Sequence, residues 1–197
     1  MNTPLLKTER LILRKFTSKD LVSLYGIYSD TEVNKFLPWF PIKAIEEAQD
    51  FFTTHYKKKY EKPYGYNYAI CLKQNNHPIG YINVSVNDSY DFGYGLCRNF
   101  WHKGIVTEAS KAVIEQLKSD NIPYITATHD INNPRSGSVM KALGMKYCYT
   151  YEEQWQPKDF LVTFRMYQLD LNGTNKVYNK YWDNSNVHFI EKETTEK

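Results

Sequence analysis

The stretch that decides the fold is Asp91–Glu108, which reads DFGYGLCRNFWHKGIVTE. Phe92, Tyr94 and Leu96 alternate with small or polar residues, and this alternation predicts one half-buried β-strand. A helical run begins after Gly104. Backbone N–H groups at a helix start have no partner within the helix, and the helix dipole favours an anion there. The stretch therefore predicts a strand, a bend and a helix start that binds phosphate.

Three glycines in this stretch indicate close approach of a ligand. Gly93 and Gly95 interrupt the short strand, and glycine in a strand leaves its backbone open to a near neighbour. Gly104 lets a phosphate approach the helix start without a Cβ in the way. We expect a phosphate-bearing ligand whose other end lies along the interrupted strand.

Composition limits the class of protein. The chain has 197 residues, which is enough for one domain with a sizeable core. Its net charge of +3 gives no case for binding nucleic acid. Three cysteines, without a CxxC pair or a metal-ligand cluster, suit a reducing cytosol. No signal peptide and no apolar run of membrane-spanning length is present, so we expect a cytoplasmic protein that binds no metal and no membrane.

Three blocks of the sequence resemble the GNAT N-acetyltransferases, and specifically the branch that acetylates the N-termini of ribosomal proteins. The stretch 92–109 matches the family's glycine loop without a gap. A second block contains Asn133, Ser136 and Gly144 at the family's spacing, and a third matches at residues 8–14, 17–20 and 38–39. The three blocks follow the family's order and cover about residues 5–170.

The resemblance implies an α/β (α+β) fold. Its mixed, mostly antiparallel sheet is splayed between its fourth and fifth strands, counted from the strand at Leu11, with helices on both faces. Residues 1–171 are expected to form a single domain. Residues 172–197 are polar with scattered aromatic residues, and we expect a partly disordered extension that is ordered only where those aromatics dock.

The resemblance also implies acetyl-CoA as co-substrate. Its pantetheine arm and acetyl oxygen would be held by backbone groups of the central strand, and its pyrophosphate by the helix start. Residues expected to bind acetyl-CoA are Leu96, Cys97, Arg98, His102, Lys103, Gly104, Ile105, Val106, Thr107, Asn133 and Ser136. Asn133 could instead be the N-cap of its own helix, and the two roles could coexist.

This sequence departs from the family at three positions. His102 replaces the first loop glycine, and Val106 replaces a small residue. Met140 stands where many relatives carry a tyrosine that protonates the departing thiolate, and methionine cannot donate a proton. Ser136 is therefore the predicted proton donor, although a serine in a first helical turn often only caps its helix.

Two residues are candidates for accepting the proton of the attacking amine. Asp91 occupies the place of an acidic residue in many relatives and could act through water, or it could simply be an aspartate in a turn. His129, at the end of the fifth strand, could be a base or a shuttle near neutral pH, or a histidine whose bonds are already satisfied. Trp39, Phe40 and Tyr66 could frame the acceptor, with core packing as the alternative.

The predicted reaction is acetylation of a primary amine by direct attack on acetyl-CoA. An α-amine titrates near ~8 and a lysine near ~10.4, so the lack of an obvious strong base favours a protein N-terminus. The alternatives are a small amine or antibiotic as acceptor, a CoA-binding sensor without catalysis, and a binder of RNA or the ribosome surface. We expect no nucleic acid as partner, and either a monomer or a homodimer.

Overall fold

The computed structural model describes residues 1–173 and 176–192. A five-stranded antiparallel sheet comes first, and its strands follow chain order. They are β1 (Leu6–Lys7), β2 (Leu11–Arg14), β3 (Tyr66–Leu72), β4 (Pro78–Val84) and β5 (Phe92–Leu96). A second antiparallel sheet has the order β6-β8-β7-β9. Its strands are β6 (Tyr124–Asp130), β7 (Lys146–Trp155), β8 (Phe160–Asp170) and β9 (His188–Phe189).

Six α-helices accompany these sheets within the described residues. Thr17 and Asp20 form a capping box ahead of the first helix. A π-helical turn at Thr53–Lys57 joins the second helix to the third. The helices are α1 (Leu21–Tyr28), α2 (Ile45–Phe52), α3 (Lys58–Tyr60), α4 (Ile105–Ser119), α5 (Pro134–Ala142) and α6 (Lys180–Asn184). In the described part of the chain, no helix has both the length and the apolarity needed to cross a membrane.

Apolar cores lie on both faces of the first sheet. On one face Tyr68 and Ile70 pack with residues of α4, and on the other Ala69 and Cys71 pack with residues of α1 and α2. Successive residues of β3 thus point to opposite cores, which explains why this strand is almost continuously buried. The α/β class with helices on both faces is confirmed.

The two sheets part between β5 and β6. They meet at an isolated parallel bridge between Asp91 and Thr126, just before β5 begins. These are the fourth and fifth strands counted from Leu11, so the predicted splay is confirmed. The pairing of β5 with β4 shows which backbone groups of β5 face the gap. The Ser85 N–H donates to the Asp91 carbonyl at 2.9 Å and the Cys97 N–H donates to the Ile79 carbonyl at 2.8 Å.

Antiparallel strands alternate between bonded and non-bonded pairs, so the odd-numbered residues of β5 turn their backbone groups to β4. The N–H and C=O groups of Phe92, Tyr94 and Leu96 therefore point toward the gap. Cys97 differs from the expectation that its backbone is free, because its N–H already bonds to β4. The Leu96 carbonyl accepts a hydrogen bond from Trp101 Nε1 at 2.8 Å, which leaves the Leu96 N–H as the open group there.

The C-terminal extension docks on the second sheet. Residues 176–192 contribute α6 and β9, and β9 pairs with β7 through Thr150–Phe189 and Tyr151–His188. Tyr178, Tyr181 and Trp182 pack with the apolar cluster of that sheet. The final residues, 193–197, for which we expect disorder, lie outside the described residues.

The two glycines of β5 have different structural roles. A Cβ on Gly95 would lie 2.4 Å from the ring of Tyr81, which is buried and stacks on Tyr28 at 5.2 Å between ring centroids. A Cβ on Gly93 would meet nothing within 4 Å. Packing of the Tyr81 ring on the α1 side thus requires a glycine at position 95. The space beside Gly93 is open.

We expect Gly95→Ala to lower the free energy of unfolding by about 1–3 kcal/mol, because the Tyr81 ring cannot yield without disturbing Tyr28. The matched control is Gly93→Ala on the same face of the same strand, which should be neutral or stabilising by up to about 1 kcal/mol. Urea denaturation of both variants measures the difference. Equal stability of the two variants would contradict this account of Gly95.

Candidate active site

A cleft of about 770 Å³ occupies the gap between β5 and β6. The start of α4 and residues of α5 line one half of it. The loop around Trp39 and the hairpin residues Trp155 and Phe164 line the other half. We call these the α4 half and the hairpin half.

The α4 half ends at an uncapped helix start. Gly104 is the N-cap residue with φ of 68°, in the left-handed region that favours glycine, and no side chain caps the helix. The Glu108 N–H is the first to bond within the helix, to the Gly104 carbonyl at 2.9 Å. The N–H groups of Ile105, Val106 and Thr107 line the cleft without an intrahelical partner.

Arg10 and Glu108 hold this helix start in place. Arg10 Nε donates to Glu108 Oε2 at 2.6 Å, and Arg10 Nη1 donates to the Lys103 carbonyl at 3.0 Å. The Thr8 hydroxyl donates to Glu108 Oε1 at 2.5 Å. Burial raises the pKa of Glu108, but the hydrogen bonds from Thr8 and Arg10 outweigh it and hold the pKa below its usual value. Glu108 is thus a structural anchor.

The loop before α4 and the first turn of α5 carry the basic residues of this half. Lys103 lies over the Phe100 ring at 5.5 Å, and its Nζ donates to the Asn99 carbonyl at 2.8 Å. His102 also lines the cleft and has a positive φ of 59°. Arg135, from the first turn of α5, stacks over Trp101 at 4.2 Å. Arg135 was not anticipated from the sequence, because nothing in its pattern distinguishes it from other exposed helical arginines.

Not every residue predicted to bind acetyl-CoA reaches the cleft. Cys97 packs partly buried against the core on the α1 side. Arg98 is directed to Asp30, with Nε 2.7 Å from Oδ2. Asn133 lines the cleft at the N-cap position of α5, and its side chain forms no capping bond. Ser136 also lines the cleft.

A pair of hydroxyl groups crosses the gap at its centre. Tyr94 Oη lies 3.0 Å from Ser136 Oγ and donates to the Ser136 carbonyl at 2.8 Å. The partner of the Ser136 hydroxyl is thus a tyrosine of β5. Burial raises the pKa of Tyr94, so this phenol stays protonated near neutral pH. Met140, in the position of the family's tyrosine, is fully buried in the core.

Sequence analysis missed Tyr94 as a functional residue. Its alternation with Phe92 and Leu96 assigns it to the core, and those two residues are indeed buried there. Only the packing of α5 beside β5 shows that the Tyr94 hydroxyl contacts Ser136.

Asp91 lies where the two sheets meet. It is half-buried and lines the cleft, and its backbone N–H donates to Ser85 Oγ at 2.8 Å. Burial, followed by repulsion from Glu153, raises the pKa of its carboxyl to about 6. A carboxyl with this pKa is ionised at neutral pH and can still accept a proton from a neighbouring group.

His129 is packed rather than presented to solvent. It is only 4% exposed, and its Nδ1 lies 2.8 Å from the Asp130 carbonyl. A Cβ added to Gly137 of α5 would lie 2.6 Å from Nε2, so the ring fits tightly under that helix. Burial lowers the pKa of His129, which keeps it neutral near pH 7. His129 nevertheless lines the cleft, and its buried Nε2 has no hydrogen-bond partner among the described residues, so the histidine is neutral but only half satisfied.

Of the three aromatic residues expected at the acceptor, one lines the cleft and two lie elsewhere. Trp39 lines the hairpin half, where its Nε1 donates to Asn34 Oδ1 at 3.1 Å. Phe40 is 59% exposed and contributes to a second, shallow depression instead. Tyr66 is buried in the core, and its hydroxyl donates to Asp120 Oδ2 at 2.8 Å. The structure therefore places only Trp39 at the cleft, and it adds Trp155 and Phe164 from the hairpin.

Comparison with known proteins agrees with this geometry. The family model of the acetyltransferase (GNAT) domain matches residues 10–146. YnaD of Bacillus subtilis, described as an uncharacterised N-acetyltransferase, is 30% identical over 143 residues, which are 71% of this chain and 81% of that protein. Among solved structures, a candidate ribosomal-protein-serine acetyltransferase from Vibrio cholerae has a TM-score of 0.73 at 17% identity, over 86% of this chain and 99% of its own.

The self-immunity acetyltransferase MccE, solved with acetyl-CoA and AMP, has a TM-score of 0.72 at 18% identity, over 83% of this chain and 93% of its own. These two structures show the fold, and the family match with the Bacillus relative shows the activity. The chain belongs to the GNAT family and is an acetyl-CoA-dependent N-acetyltransferase.

Proposed function

We propose that the protein acetylates the α-amine of a protein N-terminus by direct attack on acetyl-CoA in a ternary complex. The observation that carries this is one continuous cleft that joins the uncapped start of α4, the Tyr94–Ser136 pair and Asp91. Acetyl-CoA supplies an activated acetyl group on a thiol leaving group. Three features of the cleft fit it: free N–H groups at one end, open backbone groups along β5, and room between the sheets.

The phosphates of acetyl-CoA fit the start of α4. The N–H groups of Ile105, Val106 and Thr107 are arranged as donors at the positive end of the helix dipole. Lys103 adds a cation beside them, and a phosphate would meet no side chain at Gly104. The open N–H of Leu96 and the Tyr94 backbone are then the groups that hold the extended arm along β5.

The Tyr94–Ser136 pair suits the departing thiolate. As the bond from the amine nitrogen to the acetyl carbon forms, the carbon–sulfur bond breaks and sulfur requires a proton. Ser136 Oγ lines the cleft and can donate that proton, and Tyr94 Oη, 3.0 Å away, can pass its own proton to Oγ. The negative charge then rests on the phenolate until the proton released by the amine is returned to it. Serine and buried tyrosine are both neutral donors at pH 7, so the pair needs no prior protonation.

Asp91 suits the removal of the proton from the attacking amine. Its pKa of about 6 lies closer to that of an α-amine, near ~8, than to that of lysine, near ~10.4. A water between the amine and the carboxylate would complete the transfer. Because the base form dominates only above its pKa, kcat/KM is expected to rise as pH increases through about 6.

The hairpin half favours a slender acceptor. Lys158, in the turn between β7 and β8, donates from Nζ to the carbonyls of Asn34 at 3.1 Å and Lys35 at 3.3 Å. This contact ties the hairpin to the loop that carries Trp39, across the hairpin half. An extended chain end can enter such a passage more easily than a lysine on a folded surface.

We also propose that the protein works in the cytoplasm. Cys71, Cys97 and Cys148 are all free thiols, as a reducing compartment would keep them. Burial raises the pKa of Cys71 to about 12, so this thiol is an inert part of the core.

The acceptor is tested by incubating the protein with acetyl-CoA and a panel of amines, read by mass spectrometry. The panel contains N-terminal peptides, including serine-first peptides suggested by the Vibrio cholerae neighbour, the same peptides with a blocked α-amine and a free lysine, polyamines and aminoglycosides. We expect acetylation of free α-amines only. Acetylation of the small amines instead would replace the proposed acceptor. Tight CoA binding without any product would point to a sensor.

We expect Gly104→Glu to weaken CoA binding by more than about tenfold, because it adds a side chain and a negative charge at the proposed phosphate site. The matched control is Gly144→Glu. Gly144 also has a positive φ, of 80°, so the backbone strain is similar, but it lies outside the cleft at the end of α5. Calorimetry with CoA measures both. Unchanged affinity in Gly104→Glu would refute the phosphate assignment.

We expect Ser136→Ala to lower kcat by roughly 10²-fold with little change in the affinity for acetyl-CoA, because it removes the proton donor. Tyr94→Phe should also lower kcat if the second hydroxyl supports the first. Ser119→Ala is the control, since this exposed serine at the end of α4 lies outside the cleft. Steady-state kinetics of the three variants measures kcat for each. Normal kcat in both Ser136→Ala and Tyr94→Phe would exclude the pair as acid.

A further inference from the structure

Three neighbouring residues of the first sheet form a row along the cleft. Asn67 of β3 pairs directly with Asn83 of β4, and Asn83 pairs with Gly93 of β5. All three line the cleft. They lie on the same face of the sheet as Tyr81, which packs with α1 and α2, whereas α4 packs on the opposite face. We call Asn67, Asn83 and Gly93 the amide row.

Asn67 is fixed by its backbone, but its side chain has no partner. The Asn67 N–H donates to Thr3 Oγ1 at 3.1 Å, and its carbonyl accepts from the Tyr60 hydroxyl at 2.8 Å. Both backbone groups thus point away from β4, so Asn67 and Asn83 form a non-bonded pair, in which side chains lie closest. Asn67 is 5% exposed, and its side-chain amide has no hydrogen-bond partner among the described residues.

Asn83 carries a second amide group that is not satisfied. Its Oδ1 is buried and has no hydrogen-bond partner in the described part of the chain. A buried polar atom without a partner is costly, and two such amides side by side at a cleft indicate a polar ligand. Half a turn of the amide exchanges its oxygen and nitrogen, so either atom can be presented to that ligand.

Gly93 leaves room beside these amides. A Cβ at this position would meet nothing within 4 Å, so the space next to Asn83 is open. Asp91 lies two residues along β5 on the same face, opposite Ser85, whose N–H donates to the Asp91 carbonyl at 2.9 Å. Asp91 and Asn83 are therefore diagonal neighbours of the ladder, with Cβ atoms about 7 Å apart.

This spacing suits the end of a peptide chain. The α-amine nitrogen and the carbon of the first peptide group are two bonds, or about 2.5 Å, apart. An α-amine held near Asp91 therefore brings its first peptide group over Gly93 and within reach of the two amides. A peptide group has one N–H donor and one carbonyl acceptor, and a side-chain amide offers the complement to both.

We propose that the amide row binds the first peptide bond of the acceptor, and that Asn67 and Asn83 are thereby specificity-determining residues. The peptide carbonyl accepts from a side-chain Nδ2, and the peptide N–H donates to an Oδ1. Polyamines and aminoglycosides have no peptide group next to the amine, so the row selects against them. The inference rests on the proposed α-amine acceptor.

The test compares two acceptors that differ only at the first peptide bond. One is a short peptide with a free α-amine, and the other has an ester oxygen in place of the first peptide N–H. We would measure kcat/KM for both acceptors at saturating acetyl-CoA, in the unaltered protein, Asn67→Leu and Asn83→Leu. The ester also changes the reactivity of the amine, but that change is common to all variants and cancels when their amide-to-ester ratios are compared.

We expect the amide-to-ester ratio of kcat/KM to fall by at least about fivefold in Asn67→Leu or Asn83→Leu, because leucine has a similar shape but no amide. The loss should lie in the KM for the peptide. The affinity for CoA, measured by calorimetry, should be unchanged, which also establishes that the variants are folded. The control Asn75→Leu makes the same change in the exposed turn between β3 and β4, outside the cleft, and should keep the ratio.

The outcomes separate this inference from the proposed function. A ratio that is unchanged in both Asn67→Leu and Asn83→Leu, or that falls equally in Asn75→Leu, would overturn the amide row and leave acetylation of N-terminal peptides in place. Acetylation of small amines but of neither the peptide nor its ester would overturn the proposed acceptor, and the amide row with it.

Discussion

The parting of β5 from β6 is the constraint on which the rest of the structure depends. A buried backbone N–H or C=O group that has no partner is costly, so neighbouring strands normally stay paired along their length. Here the pairing stops after the Asp91–Thr126 bridge, and the backbone groups of Tyr94 and the N–H of Leu96 are left facing a gap. The cost is tolerable only if water or a ligand satisfies them, which supports the proposal that acetyl-CoA binds in this gap.

Packing on both faces of the first sheet keeps the gap between β5 and β6 from closing. On the side of α1 and α2, the Tyr81 ring covers Gly95, and Tyr28 bonds to Tyr56 with their hydroxyl oxygens 2.5 Å apart. On the other side, α4 is tied to the first sheet through Arg10 and Glu108. The helices on both faces are therefore packed against the first sheet. The start of α4 is directed at the cleft, and its first N–H groups have no intrahelical partner.

The carboxyl of Asp91 lowers the stability of the folded protein at neutral pH. The pKa of Asp91 is raised from 3.8 to about 6 in the folded protein, so the folded state keeps a proton that the unfolded chain releases. The stability associated with this proton is present below about pH 3.8 and is lost as pH rises through about 6. At neutral pH the ionised carboxylate therefore opposes folding while being suited to accept a proton.

Although β1, α6 and β9 were not predicted, the sequence by itself determined the strand, bend and helix start of Asp91–Glu108 and, through the family resemblance, the splay between β5 and β6. These depend on local periodicity, glycine conformation and unpaired helix ends, or on an ordered family motif, all of which are properties of short segments. Only the tertiary structure decided that Tyr94 meets Ser136, that Tyr66 is buried against Asp120, and that Tyr181 stacks on Tyr151. Those pairs are far apart in the chain and are brought together by how α5, α4 and α6 pack, and no local pattern in the sequence specifies that packing.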